Sequence, residues 1–355
     1  WLKDALPTGT IESGAFIWRG GFKGFGQGRQ TMQLGVSLRD TQLRFHPDWP
    51  MVEDLQGSLL VDTRRVSVWS DKARMMSAAL RDFSVEINAA PSIAQMNIRG
   101  GFAADSGEGV ALLQRSPLAK IAGTLLDDVT ATGSLSGDLN LGFDLSNLSA
   151  MPSIALDLEL SEVMLASRTL ALELEALSGP INYSNDAGFY SVDLTANLFD
   201  KSVAIAIGPG SSELGQGTIF DARFQAAVDA QDLTLWLTTL TGLDGESSDR
   251  WPLRGATPLT VDIAVGNTSE VRIHGDLQGL AVDVPAPIHK TSRAITPFEL
   301  RFQVSGDAPW ELFWSERMAA RLYRREGRFV GGIADLTPRQ QKVELADSPL
   351  SQGVF

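Results

Sequence analysis

The sequence lacks cysteine and holds few of the residues on which enzyme chemistry most often depends. Among its 355 residues there is no cysteine, so disulfides, thiolate nucleophiles and zinc–thiolate sites are excluded. This absence suits an oxidising compartment such as a bacterial periplasm, although it does not require one. The three histidines, His46, His274 and His289, give little material for a catalytic triad, and the G-x-S-x-G elbow of hydrolases does not occur.

Two segments come near cofactor or metal motifs without having the required spacing. The run from Gly24 to Gly28 does not fit the G-x-G-x-x-G phosphate-binding pattern, and no predicted strand precedes it. His46 with Asp48 and Glu53 could be drawn as a metal site, but scattered ligands of this kind are usually solvated loop residues. We therefore expect a protein that is not an enzyme, with no catalytic residues, no cofactor and no metal.

The charge balance argues against nucleic acid as a partner. The chain has 30 Lys and Arg against 43 Asp and Glu, which gives a formal charge of −13. A phosphate-binding surface needs clustered Lys and Arg, and so does a patch that binds an anionic membrane. The one local basic cluster consists of arginines near the end of the chain: Arg317, Arg321, Arg324, Arg325 and Arg328. We expect no nucleic-acid binding.

Long hydrophobic runs are missing as well. No stretch approaches the roughly eighteen apolar residues of a membrane span, and no signal peptide opens the chain. The sequence begins at Trp1 rather than at methionine, so we expect an excerpt of a longer protein, with any anchor or export signal outside it. Its length suffices for two or three domains or for one long repetitive unit. We expect one continuous elongated unit with two segments, residues 1–128 and residues 129–355.

What the sequence does contain is a repeated two-residue alternation of apolar and polar side chains. It is clearest between Ala131 and Ala166, on either side of a break at residues 147–152. The apolar positions of this stretch are Leu139, Leu141, Phe143, Leu145, Ile154, Leu156, Leu158 and Leu160. A period of two places successive side chains on opposite faces of a sheet, whereas a helix would scatter these residues around its circumference. Each run therefore predicts a strand with one apolar face and one solvated face.

The same alternation recurs along the chain, roughly every ten to fifteen residues, which is typical of an antiparallel meander. The further predicted strands are Met32 to Leu38, Leu43 to Phe45, Leu59 to Asp62, Val66 to Trp69, Ala79 to Ile87, Ile93 to Ile98, Leu170 to Leu174, Ile181 to Tyr183, Val192 to Leu198, Val203 to Ile207, Phe220 to Val228, Leu259 to Val265, Val271 to Ile273 and Phe298 to Val304. Helical spacing predicts one or two short helices between Gly107 and Asp128, broken near Pro117, and another from Leu233 to Leu240. Residues 1–28 look irregular, and the tail from Trp310 is less regular than the segments before it.

These patterns predict a mainly β protein: a long, twisted antiparallel sheet curled into an open hydrophobic groove, with a few short helices. Two interpretations of the apolar face remain open. One is the closed core of a β-sandwich that binds no ligand. The other is a trough whose apolar face is not fully covered by protein, and exposed apolar surface of that extent marks a binding site. A trough suits acyl chains, because each buried methylene contributes about 0.8 kcal/mol and no polar chemistry is needed.

Four segments of the chain carry a resemblance to a known family. They are similar to its opening W-L-x-x-A-L-P-x-G stretch with a following R-G, its Y-x-P-x-W-P turn, its S-P-L helix break and its G-L-x-x-D-L-P-x-P-x-x-K segment. The corresponding residues are Trp1 to Gly9 with Phe16 to Gly20, Phe45 to Pro50, Gln114 to Leu118, and Gly279 to Lys290. On these residues the chain resembles the YhdP family of large AsmA-like proteins of the Gram-negative envelope.

The resemblance implies a long curved β-sheet whose hydrophobic groove crosses the periplasm from an inner-membrane anchor. It implies a part in moving phospholipid toward the outer membrane, alongside TamB and related proteins, and no catalytic residues. We therefore expect a middle section of a bridge-like lipid transfer protein, located in the periplasm, with its inner-membrane anchor outside this segment. Outer-membrane or periplasmic partner proteins are part of the same hypothesis.

The predicted groove-lining residues are the apolar members of the most regular strands. They are Leu139, Leu141, Phe143, Leu145, Ile154, Leu156, Leu158, Leu160, Leu194, Leu198, Val261, Ile263, Val265, Phe298, Leu300 and Phe302. We expect each to contact the acyl chains of phospholipid. The alternatives are a structural scaffold of the cell envelope with a closed core, and an assembly factor that offers a sheet edge to client strands by β-augmentation.

Overall fold

The computed structural model describes residues 2–21, 30–90, 93–116, 119, 129–147, 150–168, 170–210, 218–241, 252–266, 268–286, 288–304, 306–325 and 328–336. Within these residues the chain forms a 19-stranded antiparallel sheet and three short helices. The predicted fold class, a long antiparallel sheet curled into a groove with a few short helices, is confirmed. The glycine run from Gly24 to Gly28 and the expected helix break at Pro117 lie outside the described residues.

The helices are α1 (Leu2–Ala5), α2 (Ser106–Gln114) and α3 (Ala230–Thr241). The first nine strands are β1 (Thr10–Arg19), β2 (Thr31–Leu43), β3 (Val52–Asp62), β4 (Arg65–Met75), β5 (Ala78–Ala90), β6 (Ile93–Asp105), β7 (Val129–Asp144), β8 (Ser153–Ser167) and β9 (Leu172–Ser184). The others are β10 (Gly188–Leu198), β11 (Lys201–Pro209), β12 (Thr218–Asp229), β13 (Leu253–Gly266), β14 (Glu270–Gly275), β15 (Leu280–Val282), β16 (Phe298–Gln303), β17 (Trp310–Trp314), β18 (Met318–Arg325) and β19 (Arg328–Asp335).

The sheet is a meander, because each strand from β1 to β14 pairs with the next one in the sequence. The order is interrupted once: β16 pairs with β14, and the short β15 pairs with the first residues of β13. Antiparallel neighbours run in opposite directions, so the connections after β2, β6 and β12 lie along the same long side of the sheet. We call this side the helical rim; it consists of the segment 44–51 with α2 and α3.

A row of β-bulges accounts for the curl of the sheet. Five of them occur at residues with a left-handed backbone: Asp40 (φ 47°), Asp54 (φ 52°), Asp82 (φ 48°), Glu162 (φ 50°) and Ala176 (φ 50°). The strand register shifts at each of these positions. A bulge bends its strand and increases the local twist, so bulges in neighbouring strands bend the sheet along a line.

The apolar face of the sheet is buried in two clusters. The N-terminal cluster is built on β2 to β8 and contains the fully buried Val52 and Leu55. The C-terminal cluster extends from β8 to the last strands around Trp310, which is 1% exposed. The two clusters meet on β8, where Ile154 belongs to the first and Leu160 to the second. One continuous strand face therefore contributes to both clusters.

The two segments that were expected to be irregular contain strands. Residues 10–19 form β1, whose two faces are almost entirely exposed, so burial imposes no alternation on them. The tail beyond Trp310 forms β17, β18 and β19. Two consecutive alanines of β18, Ala319 and Ala320, are both buried, and the two-residue period is lost there. The pattern is weak in both segments for the same reason, since alternation is visible only where one face of a strand is buried and the other is exposed to solvent.

Bulges also explain the differences within predicted strands. Residues 170–174 and 181–183 were expected in separate strands, yet most of them belong to the single strand β9, which the bulge at Ala176 interrupts. Phe45 lies beyond the end of β2 rather than in a strand of its own. Val192 was expected on the same face as Leu194, but the register shifts between residues 191 and 194 and leaves Val192 80% exposed.

The predicted helices are found where the structure describes them. The helix expected from Leu233 to Leu240 is α3, and the one expected after Gly107 is α2. None of the helices in the described ranges combines the length and apolar composition needed to cross a membrane. Instead, α2 and α3 pack on the helical rim next to the apolar face.

Candidate functional site

An apolar cavity lies between the sheet and α2, at the place where the two clusters meet. Its volume is about 200 Å³. Trp49 and Phe83 line it from the N-terminal cluster, while Val163 and Leu177 line it from the C-terminal cluster. The cavity therefore lies between two packed regions and is not a depression in the surface of either one.

The floor of the cavity is formed by β7 and β8, which the sequence marked as the most regular strands. Leu139 pairs with Leu156 across the two strands, so their side chains lie next to each other on the same face. Beyond Leu160 the bulge at Glu162 shifts the alternation by one residue. Val163 then faces inward as well, with 1% of its surface exposed, and the apolar wall continues past the bulge.

The opposite wall of the cavity is α2. This helix begins directly at the end of β6, where the Asp105 side chain accepts a hydrogen bond from the backbone N–H of Gly107 at 2.9 Å. Val110, Leu112 and Leu113 line the cavity from the helix and are only partly buried. The helix thus covers the cavity without filling it.

Polar groups are scarce in the lining. Arg99, Ser106 and the indole N–H of Trp49 provide its polar side-chain groups, and the side chain of Arg99 is exposed. Ser106 is 2% exposed, and its hydroxyl has no hydrogen-bond partner among the described residues. No pair of acid and base side chains lines the described cavity, so its physical capacity is to shelter apolar groups from water.

Ionisable groups with shifted pKa values lie outside the cavity lining. Burial raises the pKa of Tyr183 and of Glu270. Burial lowers the pKa of Lys290, whose ammonium donates to the carbonyl oxygens of Leu280 at 2.7 Å and Thr291 at 3.0 Å.

The structure places fourteen of the sixteen predicted groove-lining residues in or against the two clusters, while Leu156 lies only in the cavity lining and Val265 is buried outside both clusters. The residues that line the cavity are Leu139, Leu141, Leu156, Leu158 and Leu160. Those that contribute to the N-terminal cluster away from the cavity lining are Phe143, Leu145 and Ile154. Those that contribute to the C-terminal cluster are Leu194, Leu198, Val261, Ile263, Phe298, Leu300 and Phe302. Contact of these residues with acyl chains stays a prediction.

Other residues of the cavity lining were not predicted from the sequence to line a groove. Phe45 and Trp49 lie after β2, Phe83 lies on β5, and Val110 and Leu112 lie on α2. The only local signal was the helical spacing of apolar residues after Gly107, which predicted the helix but not what it covers.

Two of the three histidines make contacts within the fold. The His46 ring stacks on Phe143 with 5.2 Å between ring centroids, and its Nδ1 accepts a hydrogen bond from the backbone N–H of Asp48. His274 contacts the buried carboxylate of Asp262 at 2.9 Å, and Arg223 pairs with the same carboxylate. Within the described ranges, no group of three or more His, Asp or Glu side chains is placed to hold a metal ion.

Comparisons with known proteins agree with the sequence resemblance. The family model described as YhdP protein matches residues 1–325. A curated relative, the intermembrane phospholipid transporter YhdP of Escherichia coli strain K12, is 22% identical over 379 aligned residues. The alignment covers 99% of this chain and 28% of the relative, so the chain spans little more than a quarter of that protein's length. No solved structure matches the chain. The family predicted from four short segments is confirmed over most of the sequence, and the chain belongs to the YhdP protein family.

Proposed function

We propose that this chain binds phospholipid acyl chains in the cavity beneath α2 and passes them along the apolar face of its sheet. The observation that carries the proposal is the position of the cavity between two apolar clusters that share the strands β7 and β8. A path for an apolar ligand along the sheet has to run through this junction.

The size and chemistry of the cavity support an acyl chain as the ligand. An engineered apolar cavity of about 150 Å³ in another protein stays dry and binds benzene. The cavity here, about 200 Å³, therefore suits a section of one acyl chain rather than a whole phospholipid. Each methylene group that leaves water contributes about 0.8 kcal/mol to the free energy of binding, and this contribution requires no charged side chain in the lining. The headgroup then stays at the solvent edge.

The family supports a proposal for the role of the whole protein. The relative from Escherichia coli is named an intermembrane phospholipid transporter, and we infer the same ligand class for this chain. In this proposal the chain is a periplasmic section of a bridge between the inner and outer membranes of a Gram-negative bacterium. Its inner-membrane anchor and its partner proteins lie outside the segment, and residues 1–128 and 129–355 act as one continuous unit.

Leu156 is the residue on which to test the proposal. It is partly buried and lines the cavity from the middle of β8. Leu156→Asp places a carboxylate against the acyl path, and we expect phospholipid that co-purifies with the wild-type chain to be lost, as measured by native mass spectrometry after lipid extraction. The matched control is Ala155→Asp, which adds the same charge on the exposed face of the same strand and should retain the lipid.

A variant that changes volume without charge separates loss of binding from unfolding. Leu156→Phe enlarges a side chain that borders free space, so the fold should persist while the cavity shrinks. Circular dichroism checks the fold of all three variants. A wild-type chain that folds but carries no more than trace lipid contradicts the proposal, and so does a folded Leu156→Phe variant that binds as much lipid as the wild type.

A second candidate function rests on the exposed strand β1. Among the described residues β1 pairs with β2, and its side chains Ile11, Phe16 and Ile17 are 65%, 60% and 57% exposed. An exposed apolar edge strand is a template for strand addition, so β1 could accept client strands of outer-membrane proteins. Capture of an unfolded outer-membrane strand peptide by both the wild type and Leu156→Asp supports this role, and absence of binding rejects it.

A further inference from the structure

We propose that α2 occupies the path of the acyl chain and acts as its gate, so that a long chain binds only when α2 leaves the face of β7. This inference deepens the proposed function and rests on it. It concerns how the cavity is opened rather than which ligand enters it.

The first observation is where α2 lies. Its leucines, Leu112 and Leu113, pack against the N-terminal cluster. Its glycines abut Ala131 and Leu135 of β7, which pack against the C-terminal cluster. The helix therefore bridges the two clusters at the junction that a continuous apolar path has to cross. An acyl chain that extends from the cavity toward the C-terminal cluster would need the surface that α2 now covers.

The second observation is how closely α2 sits on β7. A Cβ added at Gly109 would lie 2.5 Å from Cδ2 of Leu135, and one added at Gly107 would lie 2.9 Å from the carbonyl oxygen of Ala131. At Gly107 the neighbouring atom belongs to the backbone, so glycine is required there, whereas the end of the Leu135 side chain opposite Gly109 can shift. The start of α2 therefore lies directly against β7.

The third observation is that α2 is a weak helix by itself. It has nine residues, of which Gly107 and Gly109 are poor helix formers. Helices of this length are marginal in water and depend on the surface against which they pack. Apart from Ser106, its described side chains are at most partly buried. An acyl chain can replace such contacts with apolar contacts of its own.

The other helix of the rim is joined to distant residues by polar contacts. In α3 the indole of Trp236 donates a hydrogen bond to the carbonyl oxygen of Leu170, and Lys201 pairs with Asp229 and Asp232 at the helix start. The described cap of α2, from Asp105 to Gly107, is local to the helix start and would travel with it.

The experiment joins α2 to β7 by a reversible bond. The chain has no cysteine, so the double variant Gly109→Cys/Leu135→Cys can form one defined disulfide. The added Cβ at residue 109 lies 3.5 Å from Cγ of Leu135, and a cysteine at residue 135 can place its Sγ where that Cγ lies, so the two cysteines are within reach of each other. The probes are palmitoyl and octanoyl lysophosphatidylcholine, which share a headgroup and differ in chain length.

The reduced variant should bind the palmitoyl probe more tightly than the octanoyl probe. Oxidation should weaken binding of the palmitoyl probe by about tenfold or more, the change expected when about two methylenes lose their contacts. Binding of the octanoyl probe, which fits the cavity with α2 in place, should stay unchanged. Equal palmitoyl binding in the oxidised and reduced states overturns the gate, whereas failure of both probes to bind the reduced and wild-type chains overturns the proposed function instead.

A control variant tests whether a disulfide elsewhere in the sheet changes lipid binding, and a second measurement tests the gate without any disulfide. The pair Ser13→Cys/Ser37→Cys joins β1 to β2, where the two hydroxyls are 3.2 Å apart, and its oxidation should leave both affinities unchanged. If the first disulfide does not form, hydrogen exchange of the wild-type α2 amides decides the question. Saturating palmitoyl probe should accelerate their exchange, and unchanged or slower exchange overturns the gate.

Discussion

The indole Nε1 of Trp236 donates a hydrogen bond of 2.8 Å to the carbonyl oxygen of Leu170, 66 positions earlier in the chain. This contact joins α3 to the connection between β8 and β9. Both residues also pack against the C-terminal cluster. The hydrogen bond therefore holds α3 over the apolar face by linking it to a part of the meander that is distant in the sequence.

Trp236→Phe should therefore destabilise the chain while leaving its fold intact. The phenyl ring keeps much of the apolar contact, but the Leu170 carbonyl loses its donor, and the free energy of unfolding should fall by about 1 kcal/mol. Chemical denaturation followed by circular dichroism measures the change. Leu235→Ala on the exposed side of the same helix, at a residue 65% exposed, is the control and should have a smaller effect.

The start of α3 predicts a specific loss of stability in acid. Asp229 accepts hydrogen bonds from Lys201 at 2.9 Å and from the backbone N–H groups of Gln231 and Asp232 at 3.0 Å, in the manner of a helix cap. The hydrogen bond from Lys201, followed by that from the backbone of Asp232, lowers the pKa of Asp229 from 3.8 to about 2.

Because the folded-state pKa is depressed, this carboxylate contributes stability above pH 3.8 that is lost as the pH falls through about 2. Asp229→Asn should reduce stability at neutral pH, and its difference from the wild type should shrink across that window. Denaturant titrations of both proteins between pH 7 and pH 2 test this. A difference that does not depend on pH would exclude the charge on Asp229 as its source.

Ser106 should be a position where a substitution stabilises the protein. Its buried hydroxyl has no partner among the described residues, and an unpaired buried polar group is unfavourable. We expect Ser106→Ala to raise the free energy of unfolding by about 1 kcal/mol. Ser191→Ala is a matched comparison, since Ser191 is also 2% exposed, has an unpartnered hydroxyl and lies outside the cavity lining. A decrease in stability for Ser106→Ala would show that the hydroxyl has a partner in solution.

The bulge in β10 predicts that the same substitution affects stability differently at Val192 and at Leu194. Val192 is 80% exposed and Leu194 is 3% exposed, although both would face inward in an uninterrupted strand. Val192→Asp should change stability by less than about 0.5 kcal/mol, whereas Leu194→Asp buries an unpaired charge and should cost more than about 3 kcal/mol. Thermal unfolding of the two variants is sufficient. Equal destabilisation would contradict the observed register.

The cavity shows which part of a binding site alternation can predict. Leu139, Leu156 and Leu158 were predicted to face a groove, and they line the cavity because the pleat places every second residue on one face. Trp49 and Phe83 could not be predicted in the same way, since nothing in their local sequence states which distant strand they meet. The limit is physical: the pleat is a local property, whereas a cavity is made by residues far apart in the chain.

The sequence by itself determined the class of the fold, most of its strands and which of their faces are apolar, because these follow from a two-residue period imposed by backbone geometry. Only the tertiary structure decided where that period is broken. The bulges at Asp40, Asp82 and Glu162 occur at non-glycine residues with a left-handed backbone, which the surrounding strands stabilise and the local sequence does not announce. They curl the sheet, and the curl together with the packing of α2 on β7 creates the cavity between the two clusters. Side-chain alternation fixes the apolar surface, and long-range packing fixes which part of that surface stays open.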